Sequence, residues 1–410
     1  MGKSKLRTLL HGQCVSLDKE HLEVLENNRG AVWFHAASVG EFEQARTLIE
    51  RLRREQPKRK IVVTFFSPSG YEARKNYEHA DAVLYLPFAT RRNAKRFLDA
   101  LQPSMALFIK YEFWPAYLRE LKKRETPTYS ISAIFRPEQR FFHWYGKSAL
   151  RLLHCFTHIY VQDENSRRLL AEHGVHDCSV VGDTRFDRVT EIVRNVKQKV
   201  DTLLSNDRLV PIIQFTEGCE HVVVAGSTWP EDEALLKQYI SNWSLVNGER
   251  VKLILVPHEI NEEHLHSIFQ LFQGRYTTFS AVSGSIPAIS RRNILQHADV
   301  MVIDTIGLLS SIYNFGHAAY IGGGFGEGIH NTIEAAVYGL PVVFGPNYHH
   351  FREAQGLIDA GAARSIKNYD ELADALNVAL ADYRMIGAKA TAYVQSELGA
   401  TDKIYNELFK

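Results

Sequence analysis

The sequence is poor in cysteine. Four stand in 410 residues, Cys14, Cys155, Cys178 and Cys219, and no two form a Cys-x-x-Cys pair. That scatter excludes a disulfide-stapled scaffold and a zinc ribbon, and fits a reducing cytosol. No apolar run approaches the roughly 18–20 residues that a membrane-spanning helix needs. No signal peptide is visible. The chain opens Met1-Gly2, but Leu6 stands where a myristoylation motif needs Ser or Thr. It therefore reads as soluble or peripheral. No Asp-x-Asp pair stands in a loop suited to a metal, and no repeat or low-complexity tract is present. Net charge is nearly absent too, with 48 Lys+Arg against 47 Asp+Glu.

That balance conceals an asymmetry. Residues 1–200 hold 34 basic and 23 acidic side chains, a net +11, and residues 201–410 hold 14 and 24, a net −10. A basic half joined to an acidic half points to two domains with different partners. Hydrophobic residues at 45% and charged residues at 23% describe a globular protein. The length exceeds what one core supports, so two domains are expected.

Short apolar runs alternate with helical patterns in both halves. The runs are 31–37, 60–67, 82–88, 105–110, 128–133 and 158–162, then 221–226, 251–257, 300–304, 318–322 and 341–345. Each is nearly continuous rather than alternating, as in strands buried on both faces of a parallel sheet. Helical periodicity fills gaps such as 41–55, 92–101, 164–173 and 231–241. The fold class is α/β, with two doubly wound domains. The expected divisions are 1–205, 206–385, and a carboxyl-terminal helical segment, 386–410, packing back on the first domain.

Ligands of such sheets sit at the carboxyl ends of strands, so the loops there carry the chemistry. After the first run comes His35-Ala36-Ala37-Ser38-Val39-Gly40-Glu41. Its small residues admit a close ligand. Glu41 is either a proton acceptor or a helix-N-terminal glutamate favoured by the macrodipole. Ser67-Pro68-Ser69-Gly70 is a capped turn, or a holder of an anion or sugar. In Lys110-Tyr111-Glu112-Phe113-Trp114-Pro115, charges follow an apolar run and need partners; they form a substrate wall or a structural ion pair. Arg136 and Arg140 lie among Phe135, Phe141, Phe142 and Trp144, with Arg91, Arg92, Lys95 and Arg96 also in this half. Basic groups interleaved with aromatics suit lipid phosphates at a membrane surface, single-stranded nucleic acid, or plain solvation.

In the second half, Gly226-Ser227-Thr228-Trp229-Pro230 is an anion-binding turn or a cap before an acidic helix start. The densest signal is the loop 322–334, Gly-Gly-Gly-Phe-Gly-Glu-Gly-Ile-His-Asn-Thr-Ile-Glu, with five glycines in its first seven positions. Successive N–H groups there could hold a phosphate. Glu334 in the next helical turn could take a ribose diol. No Gly-Lys-Ser/Thr follows this loop, so it is not a Walker A loop, nor is it a clean dinucleotide fingerprint.

Taken in order, the segments 35–41, 64–70, 85–88, 112–115, 182–187, 226–230, 304–307, 322–334 and 344–346 resemble the bacterial 3-deoxy-D-manno-octulosonic acid (Kdo) transferases of lipopolysaccharide and lipid A assembly, over roughly residues 5–395. The resemblance implies a GT-B glycosyltransferase, two Rossmann-like domains facing across a cleft. It implies inverting transfer of Kdo from CMP-Kdo to the 6′-hydroxyl of a lipid A precursor of lipid IVA type, with no metal and no cofactor. By matching position, Glu41 would be the general base and Glu112 a second acidic active-site residue. Ser38, Gly40, Ser67, Ser69, Gly70 and Arg136 would lie on the acceptor side. Ser227, Thr228, His258, Gly323, Gly324, His330, Asn331 and Glu334 would hold CMP-Kdo, with loop N–H groups stabilising its phosphate. The family's Pro-Arg-His reads Pro257-His258-Glu259 here, so the arginine expected there is replaced. Implied partners are CMP-Kdo, the lipid A precursor and the cytoplasmic face of the inner membrane, but no nucleic acid. Members usually begin with a hydrophobic anchor, and the basic stretch 3–7 falls where one would just have ended. The +11 half would then meet a phosphorylated lipid. Two alternatives stay open: a GT-B enzyme using a UDP- or GDP-sugar, and a non-catalytic module for anionic lipid or nucleic acid.

Overall fold

The computed structural model describes Gln13 and residues 17–202, 208–246, 250–284 and 286–410. The chain forms two compact units, Met1–Arg188 with Glu397–Lys410, and Val189–Ser396. The division expected at 205/206 lies outside the described residues.

The first unit is built on seven parallel strands: β1 (Val32–Ala36), β2 (Ile61–Phe65), β3 (Ala82–Tyr85), β4 (Met105–Ile109), β5 (Thr128–Ala133), β6 (His158–Val161) and β7 (Cys178–Val180), in the order β3-β2-β1-β4-β5-β6-β7. Every residue of β1 and β2 is buried, which is why those runs lack alternation. Helices cover both faces. On one, Trp33 packs its ring on Phe97, Phe108 and Tyr117 at centroid distances of 5.0, 5.2 and 5.8 Å. On the other lie Phe34, Leu48, Leu52 and Ile404. Strand order reverses direction between β1 and β4, which opens a crevice at their carboxyl ends.

The second unit repeats the plan with β8 (His221–Thr228), β9 (Val251–Pro257), β10 (Tyr276–Thr278), β11 (Val300–Val302), β12 (Ala318–Ile321), β13 (Val342–Phe344) and β14 (Ala363–Ser365), in the order β10-β11-β9-β8-β12-β13-β14. All pairings are parallel, and the reversal falls between β8 and β12.

The carboxyl-terminal segment divides differently from the expected 386–410. The helix Tyr383–Ser396 stays in the second unit, where Gly387 lies so close to Gly339 that a Cβ on it would meet the Gly339 oxygen at 2.0 Å. Only 397–410 joins the first unit. Its helix Ala400–Phe409 is anchored at the start by Asp187, whose carboxylate accepts the N–H groups of Gly399 (2.8 Å) and Thr401 (2.7 Å). Thr401 also meets Thr47 of the helix Val39–Glu55 at 2.9 Å. Divided this way, the first unit carries 33 basic and 25 acidic residues, a net +8, and the second 15 and 22, a net −7. Among the described residues, no helix is long and apolar enough to cross a membrane.

Candidate active site

At the reversal point of the first sheet, β1 runs into the helix Val39–Glu55 through a capping box. Ser38 is the N-cap and Glu41 reaches back. One Glu41 oxygen, Oε2, accepts the N–H groups of Ala37 (2.7 Å) and Ser38 (3.1 Å). The side chain is therefore held in one position. Burial raises its pKa above the ordinary 4.5, and the charge of Glu112 raises it further, against the pull of the two amides and of His35. A fixed carboxyl with increased proton affinity is suited to general-base work. Gly40 beside it is exposed, and a Cβ there would meet nothing within 4 Å, so packing does not dictate this glycine.

Glu112 comes from the loop after β4 and is 9% exposed. Its partner is His35, not the neighbouring Lys110. His35 Nε2 lies 3.1 Å from Glu112 Oε2, and Trp114 Nε1 donates to the same oxygen at 2.5 Å. Lys110 instead turns aside at φ +61°, with its ammonium 5.3 Å from the Tyr111 ring centre. The Ser67 turn is tied to the β1 loop through its N–H to the Ala37 oxygen (2.8 Å). Ser67 caps the next helix by accepting from the Gly70 N–H at 3.1 Å, and Ser69 Oγ lies 3.4 Å from Ser67 Oγ. A Cβ on Gly70 would strike the Phe65 ring at 2.6 Å, so that glycine serves packing. Arg136, at the end of β5, donates to the Tyr111 hydroxyl at 3.3 Å and so reaches the loop that bears Glu112. The structure thus gathers Glu41, Glu112, Ser38 and Gly40 at one strand end, with the Ser67 turn adjoining and Arg136 connected through Tyr111.

At the reversal point of the second sheet, Ser227 adopts φ +56°, a strained conformation for a residue with a Cβ. Thr228 is buried and spends its hydroxyl on Glu233 (2.9 Å). The glycine loop differs from expectation. The N–H groups of residues 322, 323, 326, 328, 329 and 330 already donate within the protein. Its glycines allow backbones to touch. An added Cβ would meet the Ser227 oxygen at 2.3 Å from Gly322, the Gly328 oxygen at 2.6 Å from Gly323, and the Gly345 Cα at 2.6 Å from Gly324. The loop is therefore a tightly folded platform more than an open row of donors. Asp232 locks it. This 1% exposed carboxylate accepts the Tyr320 hydroxyl (2.6 Å), the Gly323 N–H (2.9 Å) and the Trp229 N–H (3.0 Å).

Side chains stand on this platform. His258 is stacked between Trp229 (4.9 Å) and His330 (4.3 Å). His330 Nε2 accepts from Trp229 Nε1 at 3.3 Å, and burial together with His258 lowers its pKa to about 4, so it is neutral at pH 7. Glu334 receives Asn331 Nδ2 (3.0 Å) and Ser310 Oγ (2.8 Å), one on each of its oxygens. Of the expected residues, Ser227 and Thr228 end β8, His258 follows β9, Gly323, Gly324, His330 and Asn331 lie in the loop after β12, and Glu334 is in the helix Ile333–Ala336 that follows it. Asp232, Ser310, Trp229 and His35 were not singled out. Asp232 read as part of an acidic helix start, and burial, which its sequence position does not reveal, is what distinguishes it. A cavity of about 790 Å³ beside β13 and β14, lined in part by Val378, Met385 and Lys389, contains none of these residues.

Residues 16–188 match the family described as 3-Deoxy-D-manno-octulosonic-acid transferase (kdotransferase). The 3-deoxy-D-manno-octulosonic acid transferase of Rickettsia felis is 27% identical over 368 residues, covering 88% of this chain and 74% of the relative. That of Aquifex aeolicus is 26% identical over 357 residues, covering 85% and 86%. Among solved structures, a UDP-GlcNAc 2-epimerase from Neisseria meningitidis bound to UDP-GlcNAc superposes with a TM-score of 0.64 at 15% identity, covering 92% of this chain and 99% of that one. At that identity the likeness speaks for the fold, which is GT-B. With the family match falling on the first unit and relatives aligned along most of the chain, the chain is similar to the 3-deoxy-D-manno-octulosonic acid transferases.

Proposed function

We propose that this chain transfers Kdo from CMP-Kdo to the 6′-hydroxyl of a lipid A precursor of lipid IVA type, with inversion, at the cytoplasmic side of the bacterial inner membrane. The observation that carries the reading is Glu41, pinned by two amides, raised in pKa, and set beside the Glu112–His35 pair. Glu41 takes the proton of the acceptor hydroxyl as its oxygen attacks the anomeric carbon. The bond from that carbon to the CMP phosphate oxygen breaks, and its electron pair leaves with CMP. Attack opposite the leaving group inverts the centre. On the second unit, Glu334 accepts from the ribose diol, and His258 and His330 flank the phosphate.

Support for a membrane site comes from the first unit's surface. Trp144 is 86% exposed and Tyr145 60% exposed. They lie in sequence between the basic residues Arg140 and Lys147, and Arg91, Arg92 and Lys95 are exposed on the helix Arg91–Leu101. Exposed aromatics with cations suit an anionic headgroup layer.

The test is incubation with freshly made CMP-Kdo and a tetraacylated lipid A precursor, with product mass read by spectrometry. A mass increase of one or more Kdo residues is expected. Thermal stabilisation by CMP but not by UDP or GDP is expected alongside. Stabilisation by UDP or GDP alone, with no Kdo product, would replace this reading by a different nucleotide sugar.

A further inference from the structure

Glu233 and His264 have no part in the mechanism above, yet they stand between two of the donor-side loops. Glu233, 2% exposed, lies in the first turn of the helix Pro230–Val246. Its Oε1 accepts the Thr228 hydroxyl at 2.9 Å. His264 Nε2 lies 3.1 and 3.2 Å from its two oxygens. His264 belongs to the helix Glu262–Leu271, and its N–H donates to the cap residue Asn261 at 2.8 Å. Its Nδ1 lies 3.0 Å from the Glu259 carbonyl oxygen. The backbone of His264 is thus fixed to the loop after β9, so its tie to Glu233 does not depend on a particular tautomer. One carboxyl group therefore joins the loop after β8 to the loop after β9. His258 stands between these ties, with its N–H on the Thr228 oxygen at 3.0 Å and its ring on Trp229.

The turn that these ties hold is strained. β8 skips Ser227 in its pairing with β9, with Gly226 opposite Val256 and Thr228 opposite Pro257, and Ser227 takes φ +56°. A bulge at a strand end re-aims a side chain. A left-handed residue with a Cβ persists only where its surroundings over-determine it. Asp232, the preceding residue, holds the glycine loop and Trp229. We infer that Glu233 is a positioning residue: through Thr228 and His264 it keeps the strained Ser227 turn and the His258 loop in the arrangement that receives the donor's phosphate. Two neighbouring acidic side chains on one helical turn thus set all three donor-side loops. The inference rests on these loops as the donor site, but the hold on Ser227 does not.

Titration calorimetry of the full chain with CMP tests the first part. Glu233→Ala is expected to weaken CMP binding about tenfold, the size of one buried hydrogen bond left unmade. Glu233→Gln keeps an acceptor for Thr228 and is expected to retain most of the affinity. In turnover the loss falls on KM for CMP-Kdo and leaves kcat at saturation unchanged. Should Glu233→Ala fail to accumulate, His264→Ala, which cuts only the second tie, is expected to weaken CMP binding in the same direction. A lowered melting temperature with unaltered CMP affinity makes Glu233 merely structural and overturns the inference. The second part needs no ligand. Ser227→Gly relieves the backbone strain, so its effect on melting temperature is expected to be more favourable in the wild type than alongside Glu233→Ala, where the turn has already relaxed. Purely additive shifts overturn the hold on Ser227. If the wild type binds no CMP, the proposed function fails, while the melting comparison still decides whether Glu233 holds the turn.

Discussion

Glu41 pays for its chemistry in stability. Its folded-state pKa is raised, so the folded protein favours the protonated carboxyl, and ionising it at neutral pH costs stability. The sign follows. The penalty is absent below the ordinary 4.5 and grows as pH rises through the raised value. Glu41→Gln is therefore expected to abolish transfer, by about 10²–10⁴-fold, and to melt higher than the wild type at pH 8. The gap should close as pH falls below 4.5 in paired calorimetric scans. Lower melting across the whole range would show that the capping role outweighs the charge. Gly40→Ala makes a complementary case. With nothing within 4 Å and a place in the first helical turn, it should leave stability within about 0.5 kcal/mol, while raising the acceptor KM if a ligand approaches there. Both acidic residues stood out as candidates in the sequence, Glu41 by its place at a helix start and Glu112 because charge after an apolar run needs a partner. The partner of Glu112 was not, since His35 is 77 positions away and sits inside a strand that reads as core.

Among the elements, the glycine loop behaves as a folded object with one lock. Asp232→Asn keeps the shape but removes the charge that three donors share. It should cost about 1–3 kcal/mol in urea unfolding and weaken CMP stabilisation with it. Gly323→Ala adds a clash at 2.6 Å to a φ of +89°, and should cost about 1–3 kcal/mol by the same measurement. Eleven of the fourteen strands among the described residues were legible as continuous apolar runs. The three missed, β7, β10 and β14, are three-residue edge strands with partly exposed side chains, too short and too wet to show a pattern. The loop between β12 and the following helix was recognised as special from its glycines. Its close backbone packing was not legible, because glycine content is the same whether a backbone is open to a ligand or pressed against another backbone.

For the whole molecule, the charge division survives its structural redrawing, at +8 and −7. Replacing Arg91, Arg92 and Lys95 by glutamate should weaken binding to anionic vesicles in a salt-dependent way and leave CMP affinity unchanged. A fall in CMP affinity would refute that separation of duties. The charge asymmetry and the two-domain plan were visible in the sequence, but the path of the chain was not. Residues 397–410 carry ordinary helical periodicity, and the groups that tie them to the first unit, among them Asp187, Thr47 and the core around Ile404, lie more than two hundred positions earlier.

That return sets an order on synthesis. The second unit is, in effect, an insertion within the first, so a ribosome finishes the second before releasing the final helix that the first requires. During translation, the sheet that begins the chain waits with one flank uncovered while the later-made unit closes. A fragment of 189–396 should therefore fold alone. Chains stopped at 396 should expose Leu48 and Thr47 and aggregate through the earlier-made unit, and a synthetic peptide of 397–410 supplied during refolding should rescue them.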